Sequence, residues 1–322
     1  MWLEKLGNDI TSMSYGNNYY QRSIETLFAA ARKKNFTPPE GYRGALPTQE
    51  PPWDAVEFAH VIPTEVIGVD GSQVYPDSAE PLPWAYAHAM VTSPSTRYLS
   101  KFFSPAELIQ EKAAIGRKLI DSVRFSLELE LASHVAWEHK DNAVVLLDGP
   151  VLPPGRTSHN REGLGRKLLD KALLAMDEAV EQGGIVAGFT PNGHARYISS
   201  LLLAMVGEDN DDRQLPLIDR KLIGSLIHKR QRTALFKRVA LDDREVFFFY
   251  TTQGRVEFPF VPSPEMIQKV WSSVEEGYPV ELAAAHHLAV IPHGTAFHLK
   301  SILRERLNEK PTSKQALKEK SI

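Results

Sequence analysis

Two aspartates in this sequence each follow an apolar run and precede a glycine. Asp70 lies in the segment VIGVDGSQVYPD, and Asp148 lies in the segment VVLLDGP. Carboxylate oxygens are the ligands that hard divalent cations such as Mg²⁺ and Mn²⁺ prefer. Two such cations about 3.5 to 4 Å apart can stabilise both the attacking water and the leaving oxygen of a phosphodiester. The two aspartates therefore suit metal-dependent cleavage of phosphodiesters, provided that the fold brings them together.

Each Asp-Gly pair also has a simpler interpretation. Asp caps turns with its side chain and Gly accepts positive φ angles, so a strand followed by Asp-Gly is typical of a turn. For either site alone we favour that interpretation. Two such sites after neighbouring strands weigh against it, and a bound metal would also relieve the cost of ionising two carboxylates at close range.

The elements around Asp70 predict an antiparallel start to the fold. The run VIPTEVIGVDG predicts a buried strand that ends in a turn at Asp70. Residues 83–92 and 96–103 predict two more strands joined by a short turn, which implies an antiparallel meander. Ser104 is a predicted helix N-cap, and the helix that it opens should continue to about Lys140.

A second group of elements should bring Asp148 next to Asp70. AVVLLDG predicts a strand that ends at Asp148, residues 163–182 predict an amphipathic helix, GGIVAGFT predicts a strand, and HARYISSLLLAMVG predicts a helix. This order is typical of the ribonuclease H-like fold, an α/β fold with a mixed sheet flanked by helices. Its first and fourth strands lie side by side and run in the same direction, so we expect the two aspartates to meet.

The rest of the chain predicts strands in EVFFFYTT and RVEFPFV and a helix in PEMIQKVWSSVEEG. YPVELAAAHHLAVI leads into another helix, which gives the core a helical C-terminal extension. We expect a single domain over residues 1–322, made of a helical arm with a Pro-rich connector (1–53), a catalytic core (54–300) and a charged tail (301–322).

The helix between the two aspartates offers a third acid. Glu128 and Glu130, in VRFSLELELA, flank an apolar stripe that includes Leu127 and Leu131. They cannot face the same way, because residues two apart lie on different faces of a helix. Glu128 is our candidate ligand. The alternative for these acids is a solvated carboxylate paired with Arg124, and we favour that alternative for Glu130.

The bulk composition limits the chemistry further. The 322 residues include no Cys, which excludes thiolate catalysis, thiolate zinc sites and iron–sulfur clusters and favours a reducing compartment. The first residues lack a secretion signal, and no window approaches the roughly 20 apolar residues of a membrane span, so we expect a cytoplasmic protein without a membrane partner. With 37 basic against 40 acidic residues, nucleic acid would have to be bound by a local basic surface.

Three separated motifs, in the same order, resemble those of the NurA nucleases. VIGVDGSQVYPD with the Pro-led apolar strand after it resembles the first motif. LELELA with VVLLDGP resembles the helix acid and second aspartate motif, and GYPVELAAAHHLAV resembles the C-terminal Tyr-Pro…Ala-His motif. VAGFTPNGHARYISSLL and RVEFPF resemble weaker segments of the family, and together these segments cover about residues 65 to 295.

This resemblance implies a Mn²⁺-dependent nuclease, with Mg²⁺ as the other possible cation, that acts on DNA as a 5′-to-3′ exonuclease with single-strand endonuclease activity. It further implies DNA end resection in double-strand-break repair, a homodimer, and a hexameric HerA-type translocase as partner. Carried over onto this sequence, the implied metal ligands are Asp70, Glu128, Asp148 and His286, and Tyr278 joins them as a catalytic residue. Pro150 replaces a Ser that the family often has, and TPNG occupies a stretch where a basic residue is common, which would weaken phosphate contacts.

His286 also has a physical interpretation of its own. Imidazole can bind a metal or hold a phosphate and an attacking water in place, and Tyr278 can donate a hydrogen bond to phosphate. A histidine beside an Ala-rich stretch is more often a packed or capping residue, and only the motif spacing reverses that preference. His287 is adjacent, so we expect one of the pair to face away.

Basic residues in two regions are candidates for DNA contacts. Arg156, Arg161 and Arg166 follow the Asp148 loop, and their proximity in the chain favours contacts with the scissile strand. The second region has seven basic residues against one acid and could line a phosphate-tracking groove. Its basic members are Arg220, Lys221, Lys229, Arg230, Arg232, Lys237 and Arg238. A solvated helix face explains this second region equally well.

Two other functions remain open at the level of sequence. One is a catalytically weak ribonuclease H-like scaffold that binds DNA and docks on the HerA-type translocase. The other is an RNA-directed nuclease, because phosphodiester cleavage at carboxylate-bound metals does not itself select the sugar.

Overall fold

A computed structural model describes residues 28–29, 31–32, 36–38, 42, 44–75, 84–92, 97–103, 117–153, 163–191, 193–206, 218–224, 226–240 and 243–306. Its strands are β1 (Leu46–Pro47), β2 (Val56–Glu57), β3 (Glu65–Val74), β4 (Ala85–Thr92), β5 (Arg97–Phe103), β6 (Ala143–Asp148), β7 (Ile185–Thr190), β8 (Gln231–Arg232), β9 (Phe236–Val239), β10 (Glu245–Tyr250) and β11 (Arg255–Phe258). Its helices are α1 (Arg117–His139), α2 (Leu164–Glu181), α3 (Tyr197–Val206), α4 (Asp219–Ile223), α5 (Pro264–Val274), α6 (Val280–Ala289) and α7 (His293–Arg306).

The chain forms two compact units. The first comprises Met1–Pro63, Gly149–Gly155 and Ala187–Tyr278, and the second comprises Thr64–Asp148, Arg156–Val186 and Pro279–Ile322. The predicted boundaries of arm, core and tail stay predictions, although α7 continues past residue 300 to Arg306.

The second unit contains the elements predicted around the two aspartates. β3 pairs antiparallel with β4, β4 pairs antiparallel with β5, and β3 pairs parallel with β6. α1 lies between β5 and β6 in the chain and packs against α2, β3 and β4. The strand order β6-β3-β4-β5 is that of the ribonuclease H-like fold, so the predicted fold class is confirmed.

Apolar side chains explain why β3 and β6 pair in the interior. Ile67 and Val69 on β3 are buried, and so are their register partners Val145 and Leu147 on β6. Branched side chains of this kind pack well on a pleated surface. Because side chains alternate along a strand, Asp70 points to the face opposite that of Val69.

The strand that carries Asp70 does not end there, which corrects one prediction. β3 continues to Val74, and its register with β4 runs through Asp70↔Met90, because a further stretch of β4 is available for pairing. Asp148, by contrast, is the last residue of β6, and Gly149 has a φ of 135°. The strand end and turn predicted at Asp70 are therefore wrong, whereas the strand end predicted at Asp148 is confirmed.

The first unit is built on antiparallel pairing. β1, β9, β10, β11 and the residues of β7 after Val186 pair in that order, and β2 pairs with β8. Trp53, Phe236 and Phe248 belong to its apolar core. The strands predicted in EVFFFYTT and RVEFPFV and the helix predicted in PEMIQKVWSSVEEG are confirmed as β10, β11 and α5.

Some predictions fall on residues that the structure does not describe. The helix start at Ser104, most of the N-terminal arm, Arg156, Arg161 and the chain after Arg306 lie outside the described residues. Within the part that the structure describes, no helix has both the length and the apolar character that crossing a membrane requires.

Candidate metal centre

The register of β3 and β6 brings Asp70 and Asp148 together. The parallel pairing ends at Val69↔Leu147, and the two aspartates are the next residues along each strand. Neighbouring strands lie about 4.8 Å apart. Asp70 is 5% exposed, and the side chain of Asp148 is 21% exposed. The expected proximity of the two acids is confirmed, while their role as metal ligands stays a prediction.

His286, on α6, reaches the same place. Its Nδ1 lies 2.7 Å from Oδ2 of Asp70 and 3.6 Å from Oδ2 of Asp148. One potential ligand atom from each of the three residues lies within 4.8 Å of the other two. The side chain of His286 is 59% exposed, so the cluster borders solvent on the side of the histidine.

Three contacts hold α6 on the sheet. A Cβ at Gly68 would lie 2.3 Å from the carbonyl oxygen of Glu281, so glycine is required for this close approach. Oγ1 of Thr92 donates to the same carbonyl oxygen at 3.1 Å. In the last turn of the helix, Nε2 of His88 lies 2.9 Å from the carbonyl oxygen of Ala289. Burial lowers the pKa of His88, which favours a neutral ring that donates its Nε2 proton to this carbonyl.

Sequence reasoning missed these three positioning residues. Gly68 stands out in the segment VIGVDG, two residues before Asp70, and the glycine was a usable signal of close backbone approach. Nothing local marks Thr92 or His88, since their partners on α6 lie 189 and 201 residues away in the chain.

Glu128 lies on α1 as a buried acid beside the aspartates. The net pKa of Glu128 is raised to about 8: burial is the largest cause, the charges of Asp70 and Asp148 add to it, and Arg124 opposes it. One of its carboxylate oxygens accepts a hydrogen bond from Nη1 of Arg124. Glu128 is not one of the three residues whose ligand atoms lie within 4.8 Å of one another. Its role as a ligand therefore stays a prediction.

Gly71 makes room for this acid. A Cβ at Gly71 would lie 2.5 Å from Oε1 of Glu128 and 2.6 Å from the carbonyl oxygen of His88. The N–H of Gly71 donates to Oδ1 of Asp70 at 2.7 Å. The glycine after Asp70 therefore serves the close packing and orientation of the acids, not a turn.

Glu130 has a different partner from the one we expected. Its Oε1 accepts a hydrogen bond from Nζ of Lys171 on α2 at 2.6 Å, and its side chain is 13% exposed. Arg124 instead pairs with Glu128, which is four residues along the helix. The predicted solvated pairing of Glu130 with Arg124 is wrong, because the packing of α2 against α1 supplies a lysine at that position.

The donor atoms of this cluster fit a hard or borderline divalent cation. Two carboxylates and one imidazole converge, and oxygen and imidazole donors suit Mn²⁺ and Mg²⁺ better than they suit soft metals. A cation at this place would also offset the repulsion between the two adjacent carboxylates. The donor atoms and the charges of this cluster are therefore compatible with a divalent metal centre.

The C-terminal motif also contains Tyr278, which is a predicted catalytic residue, and His287, which is adjacent to His286. Tyr278 belongs to the first unit, is 38% exposed, and has its ring centroid 6.0 Å from that of Phe189. Its role as a catalytic residue stays a prediction. His287 is exposed and, as the residue after His286 on a helix, projects in a different direction.

The basic residues proposed for DNA binding have acidic or aromatic neighbours. Nε of Arg166 lies 2.8 Å from Oδ1 of Asp170, and Nζ of Lys229 lies 3.9 Å from Oε2 of Glu276. Arg230 is exposed, and its positive φ of 64° places it in a tight bend. These contacts are compatible with surface cations, and the predicted contacts of the three residues with DNA stay predictions.

The prediction that Arg232 contacts DNA is wrong. The residue is 5% exposed, and its two terminal nitrogens donate to the carboxylate of Glu50 at 2.8 and 2.7 Å. Its guanidinium also lies over the rings of Phe249 and Trp271. The side chain is occupied by these internal partners, so it does not line an exposed groove.

Comparison with known proteins identifies the family to which this chain belongs. A model of the NurA domain matches residues 64–291, and a search of curated proteins finds no match. A crystal structure of NurA is similar at 10% identity and a TM-score of 0.49, with 94% of this chain and 100% of that chain covered. A crystal structure of NurA with manganese gives 11% identity, a TM-score of 0.40, and coverage of 77% and 90%. The catalytic domain of human endonuclease V gives 14% identity, a TM-score of 0.31, and coverage of 91% and 98%. Because the NurA domain match spans well over half of its length, the chain belongs to the NurA family of nucleases.

Proposed function

We propose that this protein is a divalent-metal-dependent nuclease that cleaves DNA at the centre formed by Asp70, Asp148 and His286. The observation that carries the proposal is the convergence of these three side chains, whose ligand atoms lie within 4.8 Å of one another. Two of them come from adjacent strands and the third from a helix docked on the same sheet. Such a constellation has a chemical use that a chance pair of turn residues would not have.

Mn²⁺ is the proposed cation, with Mg²⁺ as the alternative. When bound, it would supply Lewis acidity at the scissile phosphate and lower the pKa of a coordinated water. The protein contributes the ligands, and the low exposure of Asp70 keeps that ligand in one orientation. Gly71 fixes the orientation further through its hydrogen bond to Oδ1 of Asp70, which leaves Oδ2 facing His286.

The remaining site residues have separate proposed roles. Glu128 is the buried helix acid, and Arg124 orients its carboxylate through the hydrogen bond between them. His286, with more than half of its side chain exposed, can contact the phosphate as well as the cation. Tyr278 is proposed to donate a hydrogen bond to a phosphate oxygen.

The biological role that we propose follows from membership of the family. We propose 5′-to-3′ exonuclease action with additional single-strand endonuclease action, used for DNA end resection in double-strand-break repair. A HerA-type hexameric translocase is the proposed partner and a homodimer is the proposed state of assembly. Size-exclusion chromatography with light scattering, alone and with such a translocase, tests both assemblies.

Cleavage of end-labelled DNA in the presence of Mn²⁺ tests the activity. We expect Asp70→Ala and Asp148→Ala each to lower the rate at least about 100-fold, since a metal ligand contributes several kcal/mol to the transition state. Glu178→Ala is the matched control, because Glu178 is an exposed acid on α2 that belongs to neither the proposed metal centre nor the proposed DNA contacts. Its rate should equal that of the parent.

Two results would overturn the proposal. If the parent protein binds DNA without cutting it, the scaffold function is the better description. If both aspartate variants cut as well as the parent, the site is elsewhere. Matched DNA and RNA strands in the same assay decide which sugar the enzyme accepts.

A further inference from the structure

The first unit contains a cavity that the metal centre does not explain. It has a volume of about 220 Å³ and lies between the ends of β7, β10 and β11 and the helix α4. Among the described residues of its lining, Arg220 and Arg255 are cationic and none is acidic. Pro191, Ile223 and Ile227 add apolar surface. Cationic and apolar groups in one cavity suit a ligand that has an anionic end and an apolar body.

Arg255 is the buried cation of this cavity. The residue is 6% exposed, and its Nε lies 2.9 Å from Oε1 of Glu257. Its guanidinium lies 5.2 Å from the centroid of the Tyr197 ring. Its Nη1, however, has no hydrogen-bond partner within the part of the chain that the structure describes. A buried donor without an acceptor costs free energy, and a guanidinium remains charged when buried.

The surrounding charges do not satisfy this donor. Glu257 is fully buried and is shared, because Nη2 of Arg238 lies 3.3 Å from the same Oε1 that Arg255 approaches. Asp219 is also buried, but it accepts hydrogen bonds from two backbone N–H groups and from the hydroxyl of Tyr250 and is not part of the lining. One buried carboxylate is therefore shared by two guanidinium groups, and of these Arg255 lines the cavity.

A second unpartnered polar atom lies beside the first. Oγ1 of Thr190 is buried and has no hydrogen-bond partner among the described residues. Gly193 lies close to both side chains, since a Cβ there would be 3.3 Å from Cγ2 of Thr190 and 3.6 Å from Nη1 of Arg255. The absence of a side chain at this glycine leaves room next to the unpartnered donor.

We propose that this cavity binds one phosphate ester together with its nucleoside, either as a free nucleoside monophosphate or as the phosphorylated terminal nucleotide of a strand. Arg255 and Arg220 hold the phosphate, because the planar guanidinium fork matches two phosphate oxygens. Ile223 and Ile227 contact the nucleoside. The nature of the ligand rests on the proposed nuclease function.

Isothermal titration calorimetry tests the site in the full-length protein. Deoxyadenosine 5′-monophosphate is titrated in the presence of EDTA, so that metal binding and cleavage do not contribute. We expect saturable binding of the nucleotide, weaker binding of orthophosphate, and no binding of deoxyadenosine. A short oligonucleotide with and without a 5′-phosphate distinguishes a strand end from a free nucleotide as the natural ligand.

Variants locate the binding. Arg220→Gln should lower the affinity about tenfold, the effect of losing one charge-assisted contact. Lys221→Gln is the matched control, because it removes the same charge from the next exposed residue of α4, which is not in the lining. Arg255→Lys keeps the charge beside Glu257 but removes the fork, and Thr190→Val removes only the unpartnered hydroxyl; each should weaken binding.

The outcomes separate this site from the metal centre. Absence of nucleotide binding by a protein that still cuts DNA with Mn²⁺ would overturn the cavity proposal alone. Equal losses for Arg220→Gln and Lys221→Gln would also overturn it, because they would indicate unspecific attraction to a basic surface. Nucleotide binding without any cleavage would overturn the nuclease function and leave the cavity as a nucleotide site.

Discussion

Gly68→Ala is a perturbation that should displace His286 without touching any proposed ligand. The added Cβ would lie 2.3 Å from the carbonyl oxygen of Glu281, 2.5 Å from its carbonyl carbon and 2.7 Å from the backbone nitrogen of Leu282. All three atoms belong to the backbone of α6, so a side-chain rotation cannot relieve the contact. The helix has to move away from β3.

The size of that movement follows from the contact distances. Ordinary van der Waals contact begins at 3.4 Å, so the 2.3 Å contact must open by roughly 1 Å, and a misplacement of about that size costs on the order of 100-fold in rate. His286 is on the same helix and now lies 2.7 Å from Asp70. A shift of the helix would lengthen that distance beyond hydrogen-bond range. Overpacking of this kind should also destabilise the fold by about 1 to 3 kcal/mol.

Three measurements on the parent and the variant test these expectations. Cleavage assays measure the rate, calorimetry measures the affinity for Mn²⁺, and urea unfolding measures the stability of the fold. We expect a rate about 100-fold lower, weaker Mn²⁺ binding, and a folded but less stable protein. Gly294→Ala is the control, because a Cβ at that glycine meets nothing within 4 Å. A Gly68→Ala variant with the rate and stability of the parent would refute the proposal that close packing of α6 positions His286.

Three further changes have defined outcomes. Glu128→Ala should slow cleavage of labelled DNA more than Glu130→Ala, because Glu128 is buried next to the aspartates whereas Glu130 pairs with a lysine on α2; equal losses would contradict this. Glu50→Gln should lower the free energy of unfolding at pH 7 by about 3 kcal/mol, because it leaves buried Arg232 without its acidic partner. Burial raises the pKa of Glu50, but the hydrogen bond and the charge of Arg232 lower the pKa by more than burial raises it. The net pKa of Glu50 is therefore below its ordinary value of 4.5. The contribution is therefore present above about pH 4.5 and lost as the pH falls through the lowered pKa, so urea unfolding should show the gap between parent and variant closing in acid; a gap that persists would contradict the pairing. Mn²⁺ at 100 times its Kd should raise the free energy of unfolding by about 2.7 kcal/mol, with reversal by EDTA and no response from Asp70→Ala, and a normal response of that variant would remove Asp70 from the site.

Local patterns were sufficient for the strand order and for the meeting of the two aspartates. Apolar runs identified β3 and β6, and parallel pairing then made Asp70 and Asp148 neighbours. The same patterns were wrong about the turn at Asp70, because the Asp-Gly dipeptide does not reveal that β4 continues to pair beyond it. They were also wrong about Arg232, whose acidic partner Glu50 lies 182 residues away in the chain.

His286 shows a different limit of sequence reasoning. Only a motif identified it, since α6 has little apolar asymmetry and two adjacent histidines offered no local reason to choose between them. The structure supplies that reason through contacts distant in sequence: Gly68 and Thr92 hold the first turn of α6, and His88 holds the last. Gly68→Ala leaves the Tyr-Pro…Ala-His motif intact and changes only how closely its helix can approach the sheet. The cleavage rate of the Gly68→Ala variant therefore measures whether the residues of the motif are sufficient for activity or whether activity also requires the packing that positions them.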